Sequence, residues 1–299
     1  MNIVVLGYIF AILSSIFSAL YVIPKKITKQ KPIVYVMFMG IGFFIMSVLG
    51  YVFQKAVYNI EESILNPNLI FACVGGIVFT IASTFVLTAI DKIGLAKANQ
   101  WKSLQGPIGT FLILVLLSEF LTTKILFIVL AAIFLCTSAI LFTVKDENSK
   151  EIDKKGIIYA LLAALFFGIF ALIQKYLTNK GLVYSQHIYI SLFIFISAFI
   201  FILLKEKSIK GLFKINNRDT ILSLTSGILY YFVSYFSTLA YKYIPGSIAF
   251  MIHQLNAVWL FLLGAIVFKE INFKKNSVRL IIGLLFSLIG IFMLLLAKN

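Results

Sequence analysis

The sequence predicts an all-α membrane protein of ten transmembrane helices, arranged as a 5+5 inverted repeat. Three observations carry the prediction. Hydrophobic residues make up 61% of the chain and charged residues only 12%, where soluble domains average about 25% charged. Apolar windows long enough to cross a bilayer recur ten times along the 299 residues. The second half of the chain repeats features of the first. No soluble core of this length hides so much apolar surface, and the mean hydropathy of +1.04 agrees. The net charge of +15 would suggest nucleic acid in a soluble protein, but the basic residues fall mostly in short connections between apolar spans. Membrane topology accounts for them, and no nucleic-acid partner is expected.

A spanning helix takes about 20 largely apolar residues. Windows of that kind lie near 4–23, 33–53, 69–90, 95–118, 124–144, 156–174, 186–204, 219–241, 246–268 and 278–297. The first follows Met1–Asn2 directly, without a basic leader or a small-residue cleavage site, so it reads as a retained helix. Cys73 and Cys136 sit inside the third and fifth spans as packing residues, with no disulfide or metal spacing. The fourth span opens on "GLAKANQWKSLQGPIGTF", a polar start for a segment bound for hydrocarbon. The longest polar connections are 145–155 and 205–218, and the first divides the chain into units 1–148 and 149–299.

The two units align. Shifting the sequence by 149 places Gly7 on Gly156, Ala11 on Ala160, Phe17 on Phe166 and Lys26 on Lys175. Shifting by 151 places Gly76 on Gly227, Ala98 on Ala249, Glu119 on Glu270 and Lys124 on Lys275. Chance explains matched Leu, Ile and Phe in apolar sequence. It explains matched Gly, Glu and Lys less well. Five is an odd number, so a second copy of five helices enters the membrane from the opposite side. Two such halves are related by an axis in the membrane plane, the architecture of secondary transporters that bind substrate near the midplane.

Ten spans, a chain of this length and an acidic residue closing the fourth and ninth spans ("LLSEFLTTK", "VFKEINFKK") resemble the drug/metabolite transporter superfamily. The end of the first span, "SALYVIPKK", resembles the corresponding end in the sugar-uptake branch, and the EamA-type branch is similar in architecture. The resemblance implies two EamA-like units, 1–148 and 149–299. It also implies a central cavity walled by the fourth and ninth spans with parts of the first, third, sixth and eighth.

In the fourth span, Lys102 lies about 10 Å along the helix at 1.5 Å per residue. Gln105 lies about 15 Å in, near the middle of a hydrocarbon layer about 30 Å thick. Asn99, Lys102 and Gln105 are spaced three apart and share one side of a helix. A charge or unpaired amide at that depth costs free energy unless it faces protein or a wet cavity. Pro107 removes a backbone donor and predicts a kink. In the ninth span His253 aligns with Lys102 and Asn256 with Gln105, and Trp259 follows one turn later. Tyr231 and Tyr235, four apart on the eighth span, complete the candidate substrate site. Blander roles stand beside these: Lys102 could snorkel, His253 could bond a backbone carbonyl, and Trp259 could simply pack. Glu119 and Glu270, at span ends, are expected to meet lysines at the surface.

No nucleotide motif, metal cluster or nucleophile–base arrangement stands out, so neither an enzyme nor a cofactor is expected. The first span offers Ser14, Ser15 and Ser18 and no carboxylate, which argues against proton-coupled export of lipophilic cations. The expected activity is secondary transport of a small polar metabolite across the cell membrane by alternating access. With Lys102 and His253 as the buried ionisable groups, an amino-acid-like or organic-acid-like substrate leads, and a sugar is the alternative. A membrane enzyme or a non-transporting sensor is the reading from another class. Partners are the small-molecule substrate and the lipid bilayer, with coupling to H+ or Na+ and a monomer or homodimer. Odd-numbered connections with their flanks hold 19 of the 26 basic residues, and even connections with the C-terminus hold 6. The positive-inside rule then places the odd connections in the cytoplasm and both termini outside.

Overall fold

The computed structural model describes residues 3–28, 30–93, 98, 101–142, 153–206, 216–266 and 273–297. Every regular element among them is a helix. They are α1 (Ile3–Leu20), α2 (Ile23–Ile27), α3 (Pro32–Tyr58), α4 (Leu69–Ile93), α5 (Gln105–Leu116) and α6 (Ile125–Phe142). After them come α7 (Lys154–Asn179), α8 (Ser185–Glu206), α9 (Asn217–Tyr243), α10 (Gly246–His253), α11 (Asn256–Ile266) and α12 (Phe273–Leu296).

Five stretches are long and apolar enough to cross a membrane: Ile3–Lys25, Pro32–Tyr58, Leu69–Ile93, Lys154–Asn179 and Ser185–Leu204. The chain is a multi-pass membrane protein. The other predicted spans differ for local reasons. The fourth is interrupted by a turn at Ser103–Leu104 before α5, and the ninth is divided into α10 and α11. Helix α9 has the length, with 27 residues, but its Ser, Thr and Tyr make it the least apolar of the long helices.

Exposed side chains such as Phe53, Val57, Leu126 and Leu288 form the outer, lipid-facing surface. In lipid these groups gain nothing by leaving their surroundings, so close packing and internal hydrogen bonds must hold the helices together. Phe43, Phe79, Ile190 and Ile194 fill one core between α3, α4, α7, α8 and α9. Ile113, Ile128, Ile248, Met251 and Leu294 fill a second.

The helix contacts come in matched pairs. Helix α1 packs along α9, and α4 along α7; α3 packs on α9, and α4 on α8; α1 meets α11, and α5 meets α7. Within each pair, a shift of about 150 residues maps one contact onto the other. Two aligned glycines show the match atom by atom. A Cβ on Gly7 would come within 2.7 Å of Ile244, and one on Gly156 within 2.5 Å of Ile93. Ile93 and Ile244 are 151 positions apart. Where α6 and α12 meet, Ser138 and Ser287 bond to each other at 2.5 Å.

Gly227 tests how tight this packing is. A Cβ there would overlap the Met39 carbonyl oxygen and reach 2.7 Å from the Phe43 amide, both backbone atoms that cannot swing away. Gly181 is the contrast: its φ of +80° is left-handed, with open space beside it. Gly181→Ala should cost only about 1–2 kcal/mol of backbone strain. Gly227→Val should abolish a monodisperse peak in detergent size-exclusion chromatography while Gly181→Ala retains it.

Candidate functional site

Two helical stretches are interrupted by turns. Before α5 the chain turns at Ser103–Leu104, and between α10 and α11 it turns at Gln254–Leu255. The two turns lie 151 positions apart, the same shift that aligns Gly76 with Gly227 in the sequence. The predicted kink at Pro107 is therefore displaced. Pro107 sits in the first turn of α5, where its missing N–H has no intrahelical partner to lose. The breaks meet: Gln105 Nε2 donates to Gln254 Oε1 at 3.1 Å, and Gln254 Nε2 donates to the Phe250 carbonyl at 3.1 Å.

The start of α10 is held by a carboxylate from the end of the fourth span. Glu119 accepts from the Gly246 amide at 2.8 Å, the Ser247 amide at 2.9 Å and the Ser247 hydroxyl at 2.7 Å. Lys175 approaches it at 3.4 Å and donates to the Tyr241 carbonyl at 2.7 Å. Glu119 thus meets a lysine as expected, but in the interior, with only 9% of its surface exposed. The reason is the half helix beside it, whose first amides need an acceptor and whose dipole favours an anion. Glu270, its aligned counterpart, lies outside the described residues.

Between α1, α5, α7, α9 and α10 lies a cavity of about 40 Å³. It has room for about three waters at roughly 10–15 Å³ each. Pockets that hold small molecules usually offer about 300–1,000 Å³, so a metabolite enters only if the helices part. Lys102, Gln105 and His253 line it together, as do Ser18, Gln174 and Ser237. The Lys102 ammonium sits over the Phe167 ring, 4.9 Å from its centroid. A wider concavity of about 400 Å³ lies beyond, lined by Glu119, Lys175, Asn179 and Tyr243 among others, and Tyr241 lines both spaces.

The other predicted site residues are placed elsewhere. Asn99 lies outside the described residues. Asn256 donates to Ser18 Oγ at 3.1 Å, and Trp259 Nε1 donates to Ser15 Oγ at 2.8 Å. His253 Nδ1 bonds Ser14 Oγ at 2.8 Å. The three serines of α1 thus engage three polar side chains of the ninth span. Tyr231 and Tyr235 point away from the cavity, toward Phe43, His187 and Tyr184. Gln54 donates to the Tyr235 hydroxyl at 2.8 Å.

Sequence reasoning missed Gln174 and the groups that fix it. Gln174 Nε2 donates to Ser234 Oγ at 2.6 Å, and Ser234 meets His187 Nδ1 at 3.0 Å. His187 Nε2 meets Thr238 Oγ1 at 3.2 Å, and Thr238 donates to the Tyr235 carbonyl at 2.9 Å. The donors set one consistent order. Ser234 gives its proton to Nδ1, so Nε2 carries the ring proton toward Thr238. An amide and a histidine inside predicted spans were the available signal.

Residues 9–297 match the family described as "Sugar transport protein". A "Probable glucose uptake protein GlcU" from Priestia megaterium is 24% identical over 265 residues, covering 83% of this chain and 86% of that one. A solved crystal structure superposes with a TM-score of 0.72 at 15% identity, covering 99% of this chain and 96% of the other, which establishes likeness of fold. The match of nearly the whole chain, together with spans broken around a polar cavity, makes the conclusion plain: the chain belongs to the sugar transport protein family of membrane transporters.

Proposed function

We propose that the chain is a secondary transporter that carries a neutral monosaccharide of the glucose type across the cell membrane by alternating access. Units 1–148 and 149–299 act as inverted repeats of five spans each. The observation that carries this is the meeting of two equivalent helix breaks, Gln105 against Gln254, at a small polar cavity. The matched helix contacts support the repeat, and the family and its glucose-uptake relative support the substrate.

The amino-acid or organic-acid substrate expected from Lys102 and His253 gives way to the sugar alternative. The cavity lining is mainly neutral: Ser18, Gln105, Gln174, Ser234 and Ser237 supply hydroxyls and amides, while Tyr21, Phe170 and Tyr230 supply ring faces. Such a lining suits a molecule of many hydroxyls and one apolar face. The single ammonium, Lys102, already rests on the Phe167 ring, an arrangement that offsets part of its desolvation. It remains a donor to a sugar oxygen without requiring an anion.

Uptake of labelled glucose into vesicles reconstituted with the full chain tests the reading. Uptake should saturate, and a hundredfold excess of amino acids or dicarboxylates should leave it unchanged; competition by these would reinstate the anionic reading. Gln174→Ala should raise KM roughly five- to tenfold, the loss of one neutral hydrogen bond with its partner left unmatched. Lys102→Met keeps the apolar stem and should weaken affinity about tenfold or more, as expected for a charge-assisted bond. Orientation has its own measurement. A reporter active only outside the cytoplasm should give signal at both termini and none at the 205–218 connection.

A further inference from the structure

Two chains of hydrogen bonds run from backbone carbonyls of α9 to the central cavity, and each passes through a histidine. A carbonyl oxygen only accepts, so it sets the direction of every bond behind it. The first chain starts at the Val233 carbonyl. Ser14 Oγ has three partners: that carbonyl at 3.0 Å, Ser237 Oγ at 2.6 Å and His253 Nδ1 at 2.8 Å. Ser14 is fully buried, so bulk water offers it no alternative. A hydroxyl has one proton to give and two lone pairs. All three contacts are therefore hydrogen bonds in one assignment only. Ser14 gives its proton to the carbonyl and accepts from Ser237 and from the N–H at His253 Nδ1. A neutral His253 ring then carries its lone pair on Nε2. His253 and Lys102 line the cavity together, and the ammonium lies within electrostatic reach of the ring. A cation beside an imidazole favours the lone pair over the N–H on the side it faces.

The second chain starts at the Tyr235 carbonyl, which takes the Thr238 proton at 2.9 Å. Thr238 then has only lone pairs left, so its contact with His187 Nε2 at 3.2 Å needs an N–H on the ring. A neutral His187 ring carries its lone pair on Nδ1 and accepts from Ser234 at 3.0 Å. Ser234 in turn accepts from the Gln174 amide nitrogen at 2.6 Å. His187, Ser234 and Thr238 are all buried. With its nitrogen turned to Ser234, Gln174 has its amide oxygen left for the cavity that it lines. The two histidines thus carry opposite tautomers, each set by the bond its other nitrogen makes.

We infer that His253 Nε2 and Gln174 Oε1 are paired acceptors for two hydroxyl protons of the substrate, and that His187 is the positioning residue that turns Gln174 to accept. The inference rests on the transport reading for the identity of the ligand, but not for the two tautomers. It has a consequence for specificity. A sugar hydroxyl can give its proton to His253 while its oxygen accepts from Lys102. An analogue with fluorine in place of that hydroxyl keeps an acceptor and loses the donor. It then faces an acceptor with nothing to offer it, and a buried polar group left unmatched weakens binding.

The chain has two histidines, so nitrogen NMR on isotope-labelled histidine reads both rings without any sugar. One ring should hold its proton on Nε2 and the other on Nδ1, and His253→Gln should remove the second. The same tautomer on both rings, the reverse assignment, or a charged ring at neutral pH overturns the inference. Thr238→Val keeps the shape, removes the acceptor behind His187 and lies outside the cavity lining. KM for glucose should rise about fivefold with kcat within about twofold, and Thr238→Ser should restore KM. An unchanged KM in Thr238→Val, or the same rise in Thr238→Ser, overturns the positioning role. Monofluorinated glucoses read the acceptors directly. At two ring positions the analogue should inhibit uptake about fivefold less well than glucose, and Thr238→Val should erase that penalty at one of them. Equal inhibition by every analogue overturns the paired acceptors. If the wild type accumulates no glucose while both tautomers are as stated, the transport reading falls and the order of the hydrogen bonds stands.

Discussion

A helix that starts on a buried turn exposes amides with no partner within the helix, and apolar surroundings supply none. Glu119 meets that constraint for α10. Its two oxygens take the first amides of the helix and the Ser247 hydroxyl, and Lys175 balances its charge. Without the lysine, a buried carboxylate would cost several kcal/mol. Without the carboxylate, α10 would begin on unpaired backbone. Because Lys175 also holds the Tyr241 carbonyl, one ion pair ties together the ends of α5, α7, α9 and α10. Eight residues on, at about 1.5 Å each, α10 delivers His253 to the cavity. The position of the site thus follows from where its helix is capped.

The two walls of the cavity are equivalent in sequence alignment but not in chemistry. On one wall Ser14, Ser15 and Ser18 bond His253, Trp259 and Asn256. The aligned positions on the other wall are Ala163, Ala164 and Phe167. They offer no hydroxyl, and Lys102 lies on the Phe167 ring instead. Separating the first wall breaks three hydrogen bonds between side chains. Separating the second breaks dispersion contacts and one cation–ring contact. This asymmetry of partners makes the two walls unequal in the cost of parting.

Much of this was legible in the sequence, and the rest was hidden for identifiable reasons. The helical membrane class follows from composition, which needs no partner information. The depth of Lys102 and Gln105 follows from rise per residue, and both line the cavity beside His253. The break at Gln254–Leu255 was not readable, because no Gly or Pro marks it; the turn is imposed by packing against Gln105. Asn256 and Trp259 share the polar character of site residues, but their partners on α1 decide their role. The three serines were noticed only for lacking a carboxylate. Tyr231 was favoured over Tyr230 by its spacing to Tyr235, and helical phase alone does not say which face meets the cavity. Glu62 left no signal at all. It lies in a loop, yet it accepts from the amides of Val183, Tyr184 and Ser185 at the start of α8.

The choice between an anion and a sugar turns on the same principle. A lone cation among apolar spans suggests an anionic ligand when nothing else compensates it. Here Phe167 compensates part of the charge from one side, and the remaining lining is amide, hydroxyl and ring. The groups that surround Lys102 are themselves committed: Gln174 to Ser234, Ser237 to Ser14, and His253 to Ser14. Each such commitment fixes a donor or acceptor direction before any substrate arrives, which lowers the ordering cost of binding. A ligand with many hydroxyls, each able to donate and accept, can match such a fixed pattern at several points. A compact anion would use the ammonium and leave the other directions unmatched, which supports the neutral sugar we propose as substrate.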